Sequence, residues 1–400
     1  MKKKNQMSKN QKWTLTSTSA GFAMEHMDVM FISFAMAPII MQLHISKAAG
    51  GMIASITNIG QLLGALIFGY LADTFGRVKV FTYTIFLYAI ATAAMYFAND
   101  LTLIYVLRFL VGIGAGGEEG AGVTLIAENF HGRNTGSLIS YAASFGQLGP
   151  ILAAGVAALI LPNWHALFLV GLIPVVLAYL TRRNLKENPN FIINAKRRKQ
   201  RKHQTSIKEL FKTPALTYQT LAIVSMVAVE CFGYYGIMNW LPTIMQKQLH
   251  ISASKSSVWM IVTIVGITLG MIAFGKIMDY WGPRTAFTIY LIVAACTVYL
   301  ITAATGAITL LLASTLVGFF AGGTYSGFGA MISRLYPMRI RVTANGFIVS
   351  LGKAIGGLSP IIIGFIMDHY SLMAVMITLS VLYILSLIIV LSIKNLKRDF

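Results

Sequence analysis

The sequence predicts an all-α membrane protein with twelve transmembrane helices in two pseudo-symmetric six-helix bundles. Composition is the first support. Of 400 residues, 56% are hydrophobic and only 11% are charged, with a mean hydropathy of +0.71, whereas an ordinary soluble domain carries about 25% charged residues. Apolar stretches of about 20 residues, enough to cross the hydrocarbon core, recur along the whole chain. The third support is an internal repeat. Shifted by 206 positions, Gly60, Gly64, Gly69, Asp73 and Gly76 fall on Gly266, Gly270, Gly275, Asp279 and Gly282, and LVGIGAGG at Leu110 falls on LVGFFAGG at Leu316. Past one loop insertion the shift becomes 210, and Gly136, Ser140, Gly146 and Pro150 meet Gly346, Ser350, Gly356 and Pro360. Glycines in register over six helices imply two copies of one packing plan, with a site near the bilayer midplane at the repeat interface.

Element by element, the first six helices are expected near 16–42, 48–72, 79–98, 101–129, 136–160 and 164–181. The second six are expected near 216–246, 254–278, 285–304, 307–334, 342–367 and 371–393. The first stretch is long and carries Glu25 and Asp28, so it reads as a retained helix and not a cleaved signal peptide. Lysines and arginines set the orientation. Apart from Lys47, Lys247, Lys255 and the intrahelical Arg108 and Lys353, all of them fall in segments on the side of the N-terminus. Both termini are therefore expected in the cytoplasm of a cell-membrane protein. The domains follow: a tail (1–15), a bundle (16–182), a basic linker (183–214), a second bundle (215–394) and a tail (395–400). The net charge of +19 belongs to these loops and implies no nucleic acid. Cys231 and Cys296 lie inside helices, which excludes a disulfide framework or a thiolate metal site.

Two motifs carry a family resemblance. GYLADTFGR (Gly69 to Arg77) stands at the inner end of helix 2, and GKIMDYWGPR (Gly275 to Arg284) follows helix 8. A glycine–aspartate–glycine–arginine pattern makes a tight loop whose carboxylate can meet a helix N-terminus or an arginine. The doubled loop resembles the signature of the major facilitator superfamily, with Thr74 at a usually basic position and Pro283 adding a residue to the second copy. The resemblance spans nearly the entire chain and implies the family's fold. It also implies a gating role for Gly69, Asp73, Gly76, Arg77, Asp279 and Arg284, with Asp73 holding the cytoplasmic gate shut against the other half. Helix 4 reads RFLVGIGAGGEEG, in which Arg108, Gly112 and Gly116 match the family's arginine motif and Val111 replaces its glutamine. EHMDVMFISFAMAP, CFGYYGIMNWLP, LYPMRIRVTANGF and LGKAIGGLSPIIIG are most similar to metabolite:proton symporters of the niacin and organic-acid permease type. Glu25 stands there in place of an expected aspartate, and Lys353 in place of an arginine.

Charges inside membrane helices are costly and mark function. Asp28, Glu230 and Lys353 lie close to one midplane, with Glu118 and Glu119 about 5 Å to the inner side and Arg108 about 10 Å to the outer side. Glu25 and Asp28 share a helix face, as do Arg108, Gly112, Ala115 and Glu119, so phase places Glu119 ahead of Glu118 on the Arg108 side. The candidates for proton coupling are Asp28, Glu119, Glu25, Arg108, Glu230 and Glu118. Static ion pairs that lock helices together are the competing reading. The candidates for substrate binding are Lys353, as the anion holder, and Tyr234, Tyr235 and Asn239 on adjoining faces of helix 7. Trp240 fits an interfacial aromatic belt. The glycines of helix 4 read as close helix–helix approach.

No nucleophile elbow, P-loop or metal-ligand spacing supports an enzyme, a nucleotide-driven pump or a metal site. GIGAGGEEG follows no strand and lies inside a membrane helix. The reading that follows is a monomeric secondary transporter with no cofactor. It would couple the proton gradient to uptake of a small organic anion, a carboxylate or aromatic acid such as a nicotinate-like compound. A sugar or polyol symporter and a drug:proton antiporter are the alternatives.

Overall fold

A computed structural model describes residues 7–130, 135–185, 207–337, 340–393 and 396, and among them no strand occurs. The side chain of Asp73, most of the basic linker and the ends of both tails lie outside the described residues. The helices are α1 (Lys9–Leu43), α2 (Lys47–Phe75), α3 (Arg77–Ala94) and α4 (Leu101–Asn129). Next come α5 (Thr135–Gly146 and Leu148–Ile160), α6 (Trp164–Leu169, then Ile173–Asn184) and α7 (Pro214–Leu249). One apolar segment of 51 residues, Ala253–Ala303, turns sharply at Gly282 and supplies both α8 (253–281) and α9 (283–303). The chain closes with α10 (Ala307–Gly323, then Gly327–Leu335), α11 (Arg341–Gly356 and Ser359–His369) and α12 (Leu372–Ser392). Among the described residues eleven helices are long and apolar enough to span a membrane, and dividing the longest at Gly282 brings the number to twelve.

Local chemistry sets the boundaries. Asp100, Asn163, Thr213, Ser252 and Ser371 each accept a backbone N–H three residues on, opening α4, α6, α7, α8 and α12. The helix α1 starts earlier than expected because Ser8 and Gln11 form a reciprocal capping box. Two helices expected to be continuous are broken at matching places. The break in α5 falls at Gln147 and that in α11 at Gly357–Leu358, just before the aligned Pro150 and Pro360. Neither proline has an N–H to donate to the carbonyl four residues back, and tighter three-residue bonds, Gln147 to Ser144 and Leu358 to Ile355, take over.

The glycine repeat is a repeat of contacts. A side chain at Gly64 would collide with the carbonyl of Ile113, and one at Gly270 with that of Phe319, its counterpart 206 residues on. In both copies α2 or α8 thus packs backbone to backbone against α4 or α10. The signature loops repeat too: Gly76 (φ 109°) and Gly282 (φ 80°) both adopt the left-handed geometry that glycine tolerates.

The chain forms two compact units, Met1–Ile32 with Ile56–Lys202, and Ser33–Ser55 with His203–Phe400. The division between Lys202 and His203 lies in the basic linker. The second unit also takes the hairpin made by the end of α1 and the start of α2, which hydropathy assigns to the first bundle. The core of the first unit lies around Phe81, Ile85, Tyr88 and Val111, between α3 and α4. In the second unit Trp240 is fully buried and its indole N–H donates to Pro360 O at 2.9 Å. It belongs to the core and not to the interfacial belt expected for it, because a carbonyl beside the proline break satisfies its one donor. The hairpin is held by Asp368, whose carboxylate accepts the backbone N–H of Lys47 (3.1 Å) and Ala48 (2.8 Å) and pairs with the Lys47 ammonium at 3.2 Å. Asp368 thus caps α2 from another helix.

Candidate functional site

The first unit gathers its ionisable groups on α1 and α4. Asp28 (1% exposed) and Arg108 (0%) face each other, with Nη1 3.7 Å from Oδ2. Arg108 Nε donates to Thr57 Oγ1 at 3.2 Å, and its Nη atoms have no hydrogen-bond partner among the described residues. The Thr57 position recurs as Thr263, whose hydroxyl bonds Ser314 at 3.1 Å, and Ser314 is the counterpart of Arg108. The same contact is therefore charged in one half and neutral in the other. Packing alone needs only the neutral version.

One turn away, Glu25 (7% exposed) is held from two sides. Gln61 Nε2 donates to Oε1 at 2.9 Å, and His26 Nδ1 lies 2.9 Å from Oε2. His26 escaped the sequence reading, although the Glu25–His26 dipeptide inside an apolar run was its available signal. Glu118 is fully buried beside the Tyr88 hydroxyl, tucked against Gly21, where any side chain would collide with its carboxylate. Glu119 is exposed on α4. The two adjacent acids thus divide: Glu118 points into the unit and Glu119 out of it.

In the second unit Glu230 (2% exposed) accepts a short hydrogen bond from Thr324, the counterpart of Glu118, and the buried Tyr383 faces it. Lys353 is half-buried with its ammonium 6.0 Å from the centre of the Tyr325 ring, a cation–π distance. The Tyr234 and Tyr235 rings meet edge to face, centroids 5.5 Å apart. Asn239 is buried and both ends of its amide are engaged: Ser33 donates to Oδ1 at 3.1 Å, and Nδ2 donates to Tyr235 O at 2.7 Å. It ties the hairpin to α7. Lys353, Tyr234 and Tyr235 are half-buried.

The gating candidates scatter. Gly69 has open space where a side chain would stand, and Asp279 is exposed. Arg77 Nε donates to Glu128 at 3.3 Å, an acid at the C-terminal end of α4 that the motif did not indicate. Arg284 Nη2 donates to Leu391 O at 2.8 Å near the end of α12, where helix carbonyls lack intrahelical donors.

Chemically, the first unit offers buried carboxylates that can hold protons and the buried Arg108 guanidinium, and the second unit offers the buried Glu230 and a half-buried ammonium beside the Tyr325 ring. The family described as Major Facilitator Superfamily matches residues 18–306 and 223–398. A Haemophilus influenzae protein with a provisional metabolite-transport name is 32% identical over 94% of this chain and 93% of its own. The niacin transporter NiaP of Acinetobacter baylyi is 28% identical, over 93% of this chain and 91% of its own. The bacterial homologue of the human lysosomal transporter Spinster superposes with a TM-score of 0.81 at 14% identity, covering 98% of both chains. With its twelve spans, its doubled signature loop and these matches, the chain belongs to the Major Facilitator Superfamily and is a multi-pass membrane transporter, not an enzyme.

Proposed function

We propose that the protein carries a small organic anion, a carboxylate or aromatic acid of the nicotinate type, into the cell together with protons, by alternating access. The carrying observation is the Asp28–Arg108 pair, buried at 3.7 Å with both Nη atoms lacking a hydrogen-bond partner among the described residues. A pair so poorly satisfied is costly as a static brace, whereas a carboxylate whose partner shifts between states can take up and release a proton. Asp28 and Glu119 are the leading carriers, with Glu25, Glu118 and Glu230 as further acids. Lys353 is the anion holder, and the niacin transport named for the relative supports a carboxylate. Arg77, Arg284, Asp73 and the glycines of the two loops serve the inner gate. The protein works as a monomer in the cell membrane with both termini cytoplasmic, driven by the proton gradient without a cofactor.

The test is reconstitution. Proteoliposomes should accumulate radiolabelled nicotinate when the outside is acidified, without sodium, and Lys353→Gln should abolish nicotinate binding while leaving folded protein. Accumulation that ignores the pH gradient removes proton coupling, and parent-like binding by Lys353→Gln removes the anion site. Uptake of xylose in place of nicotinate would move the substrate class to sugars.

A further inference from the structure

We propose that His26 relays protons between water and Glu25, an inference that rests on the proton coupling proposed above. His26 Nδ1 lies 2.7 Å from Phe22 O and 2.9 Å from Glu25 Oε2. Both neighbours accept, so Nδ1 carries the hydrogen and the neutral ring keeps Nε2 as its free lone pair. The two partners differ in access: the His26 side chain is 36% exposed and that of Glu25 only 9%. Gln61 holds the other carboxylate oxygen with an N–H that cannot take a proton, leaving Oε2 as the receiving atom.

The step balances as a transfer through one ring. A proton from water adds to Nε2, the N–H bond at Nδ1 breaks, and that proton bonds to Oε2. The products are a neutral Nε2–H ring and a carboxylic acid, and the reverse order unloads the site. The groups that face the dyad are acidic or neutral. Glu119 of α4 interacts with His26, while Glu118 and Tyr88 on α4 and α3, together with Asp28, surround Glu25. Asp28 is already matched by Arg108. From α5, Gly146 approaches the ring, where a β-carbon would sit 3.5 Å from Nδ1.

The internal repeat supplies an independent argument. The counterparts of Glu25 and His26 are Cys231 and Phe232, and Gly356 approaches them as Gly146 approaches His26. The fold therefore accepts a non-titrating aromatic ring at this position. The histidine is an addition to one half, beside its acid.

The experiment uses the full chain in proteoliposomes with radiolabelled nicotinate, comparing the parent with His26→Phe and His26→Ala. Acid-driven initial uptake should fall by about a hundredfold or more in both variants, in the range of a lost general acid–base group. Counterflow at equal pH, which needs no net proton release, should stay within about twofold. External imidazole should restore His26→Ala. Parent-like acid-driven rates overturn the relay, and so does a loss shared by counterflow that imidazole does not repair. A parent that exchanges nicotinate but ignores the pH gradient sinks the coupling itself; a parent that couples while both variants match it sinks only the relay. Without any substrate, nitrogen-15 histidine NMR of parent and His26→Phe identifies the ring. At alkaline pH, with the site unloaded, it should be an Nδ1–H tautomer that shifts in Glu25→Gln, and an Nε2–H ring under that condition overturns the relay.

Discussion

Replacing Asp28 by asparagine should destabilise the protein more than any single surface change, and replacing its partner as well should restore most of the loss. Asp28 and Arg108 are 3.7 Å apart and essentially inaccessible. At an effective dielectric of about 20 their attraction is about 4 kcal/mol at that separation. Asp28→Asn leaves a buried guanidinium with only its Thr57 contact, a loss of about 3–5 kcal/mol. Arg108→Gln strands the carboxylate and should cost a similar amount. The double variant buries two neutral amides and strands no charge, as the second half keeps neutral Thr263 and Ser314 there, and should recover about 2–4 kcal/mol over the sum of the singles. Thermal and denaturant unfolding of the four purified proteins gives the cycle, and counterflow reports whether each is assembled. Single losses below about 1 kcal/mol that add in the double variant would show that the two charges do not act as a unit.

Three further outcomes follow from the geometry. Asp368→Ala removes the cap from α2 and should lower stability by about 1–2 kcal/mol, read by thermal unfolding, while Asp368→Asn keeps an acceptor and should lose less. Thr324→Val leaves the Glu230 carboxylate buried without its donor and should cost about 1–3 kcal/mol, whereas Glu230→Gln keeps an acceptor for Thr324 and should unfold close to the parent. Gly64→Ala and Gly270→Ala push a methyl into the carbonyls of Ile113 and Phe319 and should each cost about 1–3 kcal/mol, while Gly69→Ala, in open space, should be neutral or slightly stabilising in the same unfolding assay.

The spans and the repeat were legible because they depend on local properties, hydropathy over a window and small residues at fixed spacing. The register of Gly64 with Gly270 was readable at sequence level, and the matching Ile113 and Phe319 carbonyl contacts follow from it. The breaks at Gln147 and Gly357 were not read, although the aligned prolines carry them. Depth along each helix named Asp28 and Arg108 as candidates but set them about 10 Å apart, whereas they meet at 3.7 Å, because rise along a helix axis ignores tilt and side-chain reach. What depth and phase left undecided was pairing, because a partner on another helix is set by rotation about both axes. Glu118 against Tyr88 and Arg77 against Glu128 are of that kind. His26 was invisible to face counting, since a neighbour at i+1 should point elsewhere, yet the ring turns back to the Phe22 carbonyl and Glu25. Trp240 misled for the complementary reason: amphipathic residues look interfacial until the distant carbonyl that satisfies the indole is known.

The cap that Asp368 places on α2 also bears on how the protein is made. Lys47 and Asp368 are separated by 321 residues, which a ribosome working at about 5–20 residues per second needs about 16–64 s to synthesise. For that interval the N-terminal end of α2 lacks the carboxylate that will satisfy its first N–H groups, and Ser33 likewise waits for Asn239, 206 residues later. The hairpin is therefore made well before the residues that complete it.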